Sequence, residues 1–149
     1  MKPYYRKIVD DVASLIRAGS YSQSVDVFSA YVPPPNEPSH LPKNPPWRVD
    51  VISRGISGRD ADNQFLTECN YSVGVFVRGV VPDLGDDDLI DELLLTVEQI
   101  QDRLTQNPIL ASGGVLIPPF ENEPNFDPGL RETRVLTSLS VFTYRIDRG

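Results

Sequence analysis

The stretch from residue 64 to residue 104 constrains the fold most, because a long run with strand periodicity leads through an acidic turn into an amphipathic helix. From Thr67 onward the odd positions are apolar or aromatic and most even positions are polar, which predicts an unusually long strand with one buried face. The inward residues are Cys69, Tyr71, Val73, Val75 and Val77. Apolar residues of the helix recur every three or four positions and so share one face. They are Ile90, Leu93, Leu94, Val97, Ile100 and Leu104.

Shorter patterns in the rest of the chain predict one more helix and four more strands. Helical spacing of apolar residues indicates a helix over residues 3–18, with Gly19 after its last turn. Asp86 or Asp87 is placed to cap the second helix, which is expected to end near Asn107. Alternating or β-branched runs predict strands over residues 24–32, 47–54, 115–117 and 133–146.

These elements define the expected fold class and domain organisation. The predicted order is helix, three strands, helix and two strands, with residues 47–54 and 64–80 paired as an antiparallel hairpin. A length of 149 residues suits one domain over residues 1–149. We expect an α+β fold, in which a mostly antiparallel sheet of four to five strands packs against two helices, with long proline-rich loops.

Two proline-rich segments stand out, because loops this long in compact domains usually bind something or are disordered. Residues 33–46 contain seven prolines, and a second such segment covers residues 118–132. Large aromatic residues lie in or beside these segments. Trp47 directly follows the first, and Phe120 and Phe126 lie in the second. Each aromatic residue either fills a pocket of a partner or tethers its own loop, and the sequence leaves both readings open.

The composition excludes some classes of function. The formal charge is −7 and the isoelectric point is near 4.6, which argues against a protein that grips nucleic acid through its phosphates. An acidic channel through which DNA slides, or a small local basic patch, remains compatible with this charge. We expect neither a secretory signal nor a membrane span, and therefore a soluble protein made in the cytoplasm.

Patterns that carry chemistry are weak in this sequence. His40 is the only histidine and lies in a proline-rich loop, and no nucleophile motif accompanies it. Cys69, the only cysteine, is expected to be a buried thiol. The acids Asp83, Asp86, Asp87 and Asp88 lack the spacing of a calcium loop and are read as a helix cap and a solvated face. The sequence therefore predicts no catalytic residues, no cofactor and no metal.

The segments DDDLIDELLLTVEQIQDRL (residues 86–104) and TSLSVFTYRI (residues 137–146), together with the element order, carry a resemblance to a known family. The chain resembles the tail terminator, or head–tail joining, proteins of tailed bacteriophages. The resemblance implies a homo-hexameric ring in the virion neck, assembled in the host cytoplasm, that ends tail-tube polymerisation. Its implied partners are the tail tube protein, the head connector or stopper protein, a sheath protein in a contractile tail, and DNA that passes through the lumen without specific binding.

In that setting the two proline-rich segments become contact surfaces, because stiff loops lose less entropy on docking. We expect contacts between subunits or rings from residues 33–47 and 120–131, and from the tip of the predicted hairpin. The candidate residues are Pro33, Pro34, Pro35, Trp47, Arg54, Arg59, Asp60, Phe120, Phe126 and Arg131. Deletion of residues 34–45 is expected to leave the monomer folded and to impair assembly.

Three alternatives remain open. The chain could be another neck or head-closure protein. It could be a small metal-dependent α+β enzyme that uses the acids between Asp83 and Asp88. It could also be a monomeric adaptor whose proline-rich arm docks on a partner as an extended peptide.

Overall fold

The computed structural model describes residues 1–32, 41, 46–57, 68–122 and 133–147. Within these ranges two helices pack on one five-stranded sheet of order β1-β2-β3-β5-β4. The elements are α1 (Tyr4–Arg17), β1 (Val25–Ala30), β2 (Trp47–Ser57), β3 (Glu68–Val80), α2 (Asp87–Gln106), β4 (Val115–Asn122) and β5 (Val135–Asp147). The α+β class and the order of elements are confirmed.

The long central strand has the buried face that its alternation predicts. All five inward residues of β3 are at most 2% exposed, and this set includes the free thiol of Cys69. Across the antiparallel ladder, Val73 pairs with Phe142 of β5. The helix side of the core is completed by residues from one face of α2, namely Leu93, Val97, Ile100 and Leu104. The sheet and the helix meet through the faces that the two periodicities indicate.

Capping and side-chain contacts hold the helices in place. The Asp86 side chain accepts a hydrogen bond from the Leu89 amide at 3.2 Å, which confirms the predicted cap of α2. Arg103 of α2 donates to the Leu15 carbonyl of α1 at 3.1 Å. Asp10 of α1 accepts from the Ser29 hydroxyl of β1 at 2.9 Å. Burial opposes ionisation of Asp10, but hydrogen bonds from Lys2 and Ser29 and the charge of Arg6 outweigh it and lower the pKa of Asp10.

The pairing of β1 with β2 makes the first proline-rich segment part of a connection between two parallel strands. These strands are parallel, with Val25 opposite Trp47 and Ala30 opposite Ile52. The chain must therefore return from the end of β1 to the start of β2, which generally takes a dozen or more residues. Deletion of residues 34–45 would leave only four, so the parallel pairing argues against the expectation that this deletion preserves the fold.

Strand β2 is longer than predicted and includes part of the expected hairpin tip. The register shifts between Ser53 and Gly55, which marks a β-bulge. Gly55 has a φ of 124°, a conformation that residues with a Cβ rarely adopt. The bulge lets pairing continue to Ser57, so Arg54 lies within the strand and the prediction that it sits at the tip is wrong.

Strand β4 runs through prolines that predicted a loop. It extends to Asn122 and contains Pro118 and Pro119, joined by a cis peptide bond. Its register with β5 shifts between Ile117 and Glu121. Proline is tolerated here because β4 is at the edge of the sheet and the pairing is already interrupted. The second proline-rich segment therefore begins after Asn122 and not at residue 118.

No helix in the described part of the chain is long and apolar enough to cross a membrane.

A matched pair of isoleucine substitutions tests the assignment of the core. Ile100 on α2 is 1% exposed, whereas Ile109 beyond the helix is 71% exposed. We expect Ile100→Ala to lower the free energy of unfolding by about 2–5 kcal/mol, because it removes buried methyl groups and leaves a cavity. Ile109→Ala should cost less than about 1 kcal/mol. Chemical denaturation measures both, and equal losses would contradict the packing described here.

Candidate functional site

Three of the ten predicted contact residues lie within the described part of the chain: Trp47, Arg54 and Phe120. Each belongs to a strand, so none of the three sits on a free loop. The others lie outside the described residues, as does His40. They are Pro33, Pro34, Pro35, Arg59, Asp60, Phe126 and Arg131.

The aromatic residues beside the proline-rich segments pack against their own chain. Trp47 is the first residue of β2, is 1% exposed and belongs to the main core. Phe120 is half-buried and stacks on Phe142, with ring centroids 5.1 Å apart. The sequence allowed each aromatic residue either to fill a partner's pocket or to tether its own loop. In the structure both Trp47 and Phe120 pack against their own chain, as tethering requires. In this conformation Trp47 has no appreciable surface left for a partner, whereas Phe120 keeps part of its surface.

Phe120 also closes one side of a shallow groove between α2 and β4. The groove is lined by Leu94, Val97, Glu98, Gln101, Phe120 and Asn122. Two hydrogen bonds join residues of this groove to β5. The Ser140 hydroxyl accepts from the Gln101 side-chain amide at 2.9 Å and from the Asn122 side-chain amide at 3.1 Å. Bonds between these side chains fasten α2 to the strands beneath it.

A buried charge cluster lies on the sheet face opposite the helices. Asp50 and Arg78 are each 1% exposed, and Arg78 Nη2 donates to Asp50 Oδ2 at 2.6 Å. Arg48 Nε donates to the same oxygen at 3.0 Å. The Arg48 guanidinium also lies over the ring of Phe28, 4.0 Å from its centroid. Two guanidinium groups thus share one carboxylate, and one of them, that of Arg48, also covers an exposed aromatic ring.

Sequence reasoning missed this cluster, because the alternation assigns Arg48, Asp50 and Arg78 to a polar, solvated face. The available signal was the spacing of Arg48 and Asp50, two residues apart and thus on the same face of one strand. The partner Arg78 becomes apparent only from the register of β2 with β3, in which Arg48 lies opposite Arg78.

Exposed aromatic and apolar side chains occur near the end of β1, and one of them, Phe28, contacts this cluster through Arg48. Phe28, Tyr31 and Val32 are 43%, 56% and 76% exposed. The Arg6 guanidinium lies 5.5 Å from the centroid of the Tyr31 ring. Large exposed side chains with arginine beside them are typical of protein interfaces. We call Phe28, Tyr31, Val32 and Arg48 the aromatic–arginine corner.

The second helix concentrates the acidity of the chain. Residues 83–107 contain eight acidic residues and one basic residue, a net charge equal to the −7 of the whole chain. Asp83 accepts from the Gly85 amide at 2.9 Å, and Asp86 caps the helix, so two of these carboxylates have backbone partners. The described residues contain no group of histidine, cysteine or acidic side chains arranged to hold a metal ion.

One large apolar residue is exposed among these acids. Leu95 is 44% exposed on the outer surface of α2. Helical spacing places Asp91 and Glu92 one turn before it and Glu98 one turn after it. All three acids are exposed. We call Asp91, Glu92, Leu95 and Glu98 the acidic helix face.

Comparison of the sequence with family models and with curated proteins gives no match from which a function could be inferred. No protein-family model matches the sequence, and no curated protein matches it.

The buried ion pair allows a stability test. We expect Asp50→Ala to lower the free energy of unfolding by about 3–5 kcal/mol, because it takes the carboxylate away from a buried guanidinium. Joint replacement by Asp50→Leu and Arg78→Met should cost less than the single change, since the fully buried guanidinium is then removed and the remaining Arg48, whose side chain is 21% exposed, can reach solvent.

The matched control is Lys2→Ala, which removes a cation from the exposed pair with Asp10 and should cost less than about 1 kcal/mol. Urea denaturation at neutral pH compares the variants. If Asp50→Ala cost no more than Lys2→Ala, the buried pair would not stabilise the fold as described.

Proposed function

We propose that this chain is a structural protein of the phage neck that forms a hexameric ring, ends polymerisation of the tail tube and joins the tail to the head connector or stopper. The observation that carries the proposal is the position of the two segments behind the resemblance. Residues 86–104 are the cap and most of α2, and residues 135–146 are nearly all of β5. This helix and this strand form the middle of the fold, so the resemblance rests on its central framework.

The charge distribution supports a ring around DNA. The net negative charge lies in one helix and its entry turn, because residues 83–107 contain eight acidic residues and only one basic residue. If α2 faces the lumen, DNA passes without being held, since non-specific affinity for DNA comes from cations that displace its counterions.

The mechanism would be geometrical. One face of the ring matches the end of the tail tube and the other face does not, so no further tube ring adds. Such a protein needs exposed surface suited to other chains. The aromatic–arginine corner provides such surface within the described residues.

The second candidate is a monomeric adaptor that docks through its proline-rich arm, and the exposed corner where that segment leaves β1 also favours it. Mass in solution separates the two functions. We expect light scattering over a concentration series to give about six times the chain mass of 16.6 kDa, and negative-stain images to show rings with a central hole. A monomer at every concentration would contradict a ring that forms by itself and would favour the adaptor.

The first proline-rich segment is tested by substitution instead of deletion, because the parallel β1–β2 pair needs the connection. We expect serine at positions 34, 35, 38, 42 and 45 to leave the fold intact and to weaken ring formation, since a more flexible segment loses more entropy on docking. Leu41 is buried and is kept. Circular dichroism checks folding and light scattering checks assembly. Rings as stable as those of the unaltered protein would remove this segment from the contact surface.

A further inference from the structure

Strand β1 lies at one edge of the sheet, so one of its two sides has no neighbouring strand. Backbone groups of successive residues alternate between the two sides of a strand, and the Ser24 carbonyl accepts from the Trp47 amide of β2 at 3.0 Å. The parallel register continues this pattern, so the even-numbered residues of β1 bond to β2. The backbone groups of the odd-numbered residues therefore point away from β2. We call these residues, Val25, Val27 and Ser29, the open edge of β1.

Side chains of α1 cover the open edge of β1. Arg17 Nη2 donates to the Val27 carbonyl at 3.0 Å, and Arg6 Nη2 lies 3.5 Å from the Ser29 carbonyl. Asp10 fixes the second contact, because its Oδ1 accepts from the Ser29 hydroxyl at 2.9 Å and lies 3.1 Å from Arg6 Nε. Two consecutive outward carbonyls of β1 thus face guanidinium groups of the neighbouring helix.

The opposite edge of the sheet is closed by different means. The Leu116 amide of β4 donates to the Pro108 carbonyl at 2.8 Å, so the start of β4 already has a backbone partner on its outer side. Pro118 and Pro119, further along β4, have no amide hydrogen to donate to an added strand. The open edge of β1 contains no proline, and its protection comes from the side chains of α1.

We propose that α1 guards the open edge of β1 against addition of a strand from another copy of this chain. An edge strand with unpaired amides and carbonyls is a template for such addition. Guanidinium groups that bind the outward carbonyls remove the acceptors that an incoming strand needs. The occupant excluded in this way is the same edge of a second copy, since two copies of one edge supply donors and acceptors to each other across a two-fold axis. The guard acts on each subunit, whether that subunit belongs to a ring or is a monomer.

Removal of the two guanidinium groups tests the guard. The guard variant carries Arg6→Met and Arg17→Met, because methionine keeps an apolar stem at each position and offers no donor. We expect the protein concentration at which larger assemblies appear to fall by about tenfold or more relative to the unaltered protein, because the outward carbonyls become available. Light scattering over a concentration series measures this change.

A control variant removes the same amount of charge elsewhere. It carries Lys7→Met and Arg145→Met. Lys7 lies over the Tyr4 ring, and Arg145 donates to the Asn70 side chain, so the contacts of both residues lie away from the open edge of β1. The control variant should keep the mass of the unaltered protein at each concentration.

A proline separates strand addition from a general loss of stability. Ser29→Pro removes an amide that points away from β2, and an edge strand tolerates proline at such a position. Added to the guard variant, Ser29→Pro should restore the mass of the unaltered protein, because an incoming strand then loses a donor. A loss of stability would not be reversed by this change, since it also removes the hydroxyl that bonds to Asp10.

Circular dichroism verifies the folding of each variant. A folded guard variant with the mass of the unaltered protein at every concentration would overturn the guard. Association that persists after Ser29→Pro would lie outside the open edge and would overturn it equally. If the double variant does not fold, Arg17→Met alone, which removes the 3.0 Å contact, is compared in the same way. The mass of the unaltered protein tests the ring by itself, so the ring and the guard fail independently.

Discussion

The antiparallel pairing of β3 with β5 is the interaction on which the rest of the structure depends. The register extends without a break from Glu68 opposite Asp147 to Val80 opposite Val135. Pairing in this register aligns the inward residues of both strands into one largely apolar surface, interrupted by Ser138 and Ser140 of β5. Because side chains alternate between faces, a slip of one residue would turn that surface away from the helices. The main core, the position of α2 and the attachment of both outer parts of the sheet follow from this ladder.

The opposite face of the sheet contains a buried ion pair beside buried apolar residues such as Ile52 and Leu139. Asp50 and Arg78 link β2 to β3 through a buried ion pair, and Arg48 extends the link to the exposed ring of Phe28. Burial of charge is costly, so such a pair stabilises the fold less than its short distance suggests. The ion pair mainly fixes geometry. It positions the Asp50 carboxylate, which in turn holds the Arg48 guanidinium over the Phe28 ring. A buried contact within the sheet thus shapes its exposed surface.

Charge is segregated within this fold. An acidic protein of uniform surface would repel its own copies, since every face would carry the same sign. Here the net charge is confined to α2 and its entry turn, while the unit of α1, β1 and β2 is slightly basic. The surface charge of the molecule therefore differs in sign between these two parts of the fold.

Local patterns in the sequence determined the elements. Alternation defined the buried face of β3, helical spacing defined the buried face of α2, and a short acid before an apolar run predicted the Asp86 cap. Each of these signals depends on residues within a few positions of one another, where periodicity and backbone chemistry act directly. Of the candidate site, the sequence pointed to Phe120 and Trp47 as aromatic residues of note but left their surroundings open.

Only the tertiary structure decided the features that depend on strands distant in sequence. Parallel pairing turned the first proline-rich segment into a required connection, a bulge at Gly55 carried Arg54 into β2, and an edge position let β4 run through Pro118 and Pro119. Burial of Asp50 and Arg78 arises in the same way, since their attraction exists only once β2 and β3 are in register. Periodicity reports which face a side chain takes, whereas the neighbours it meets there are set by the pairing of strands across the whole chain.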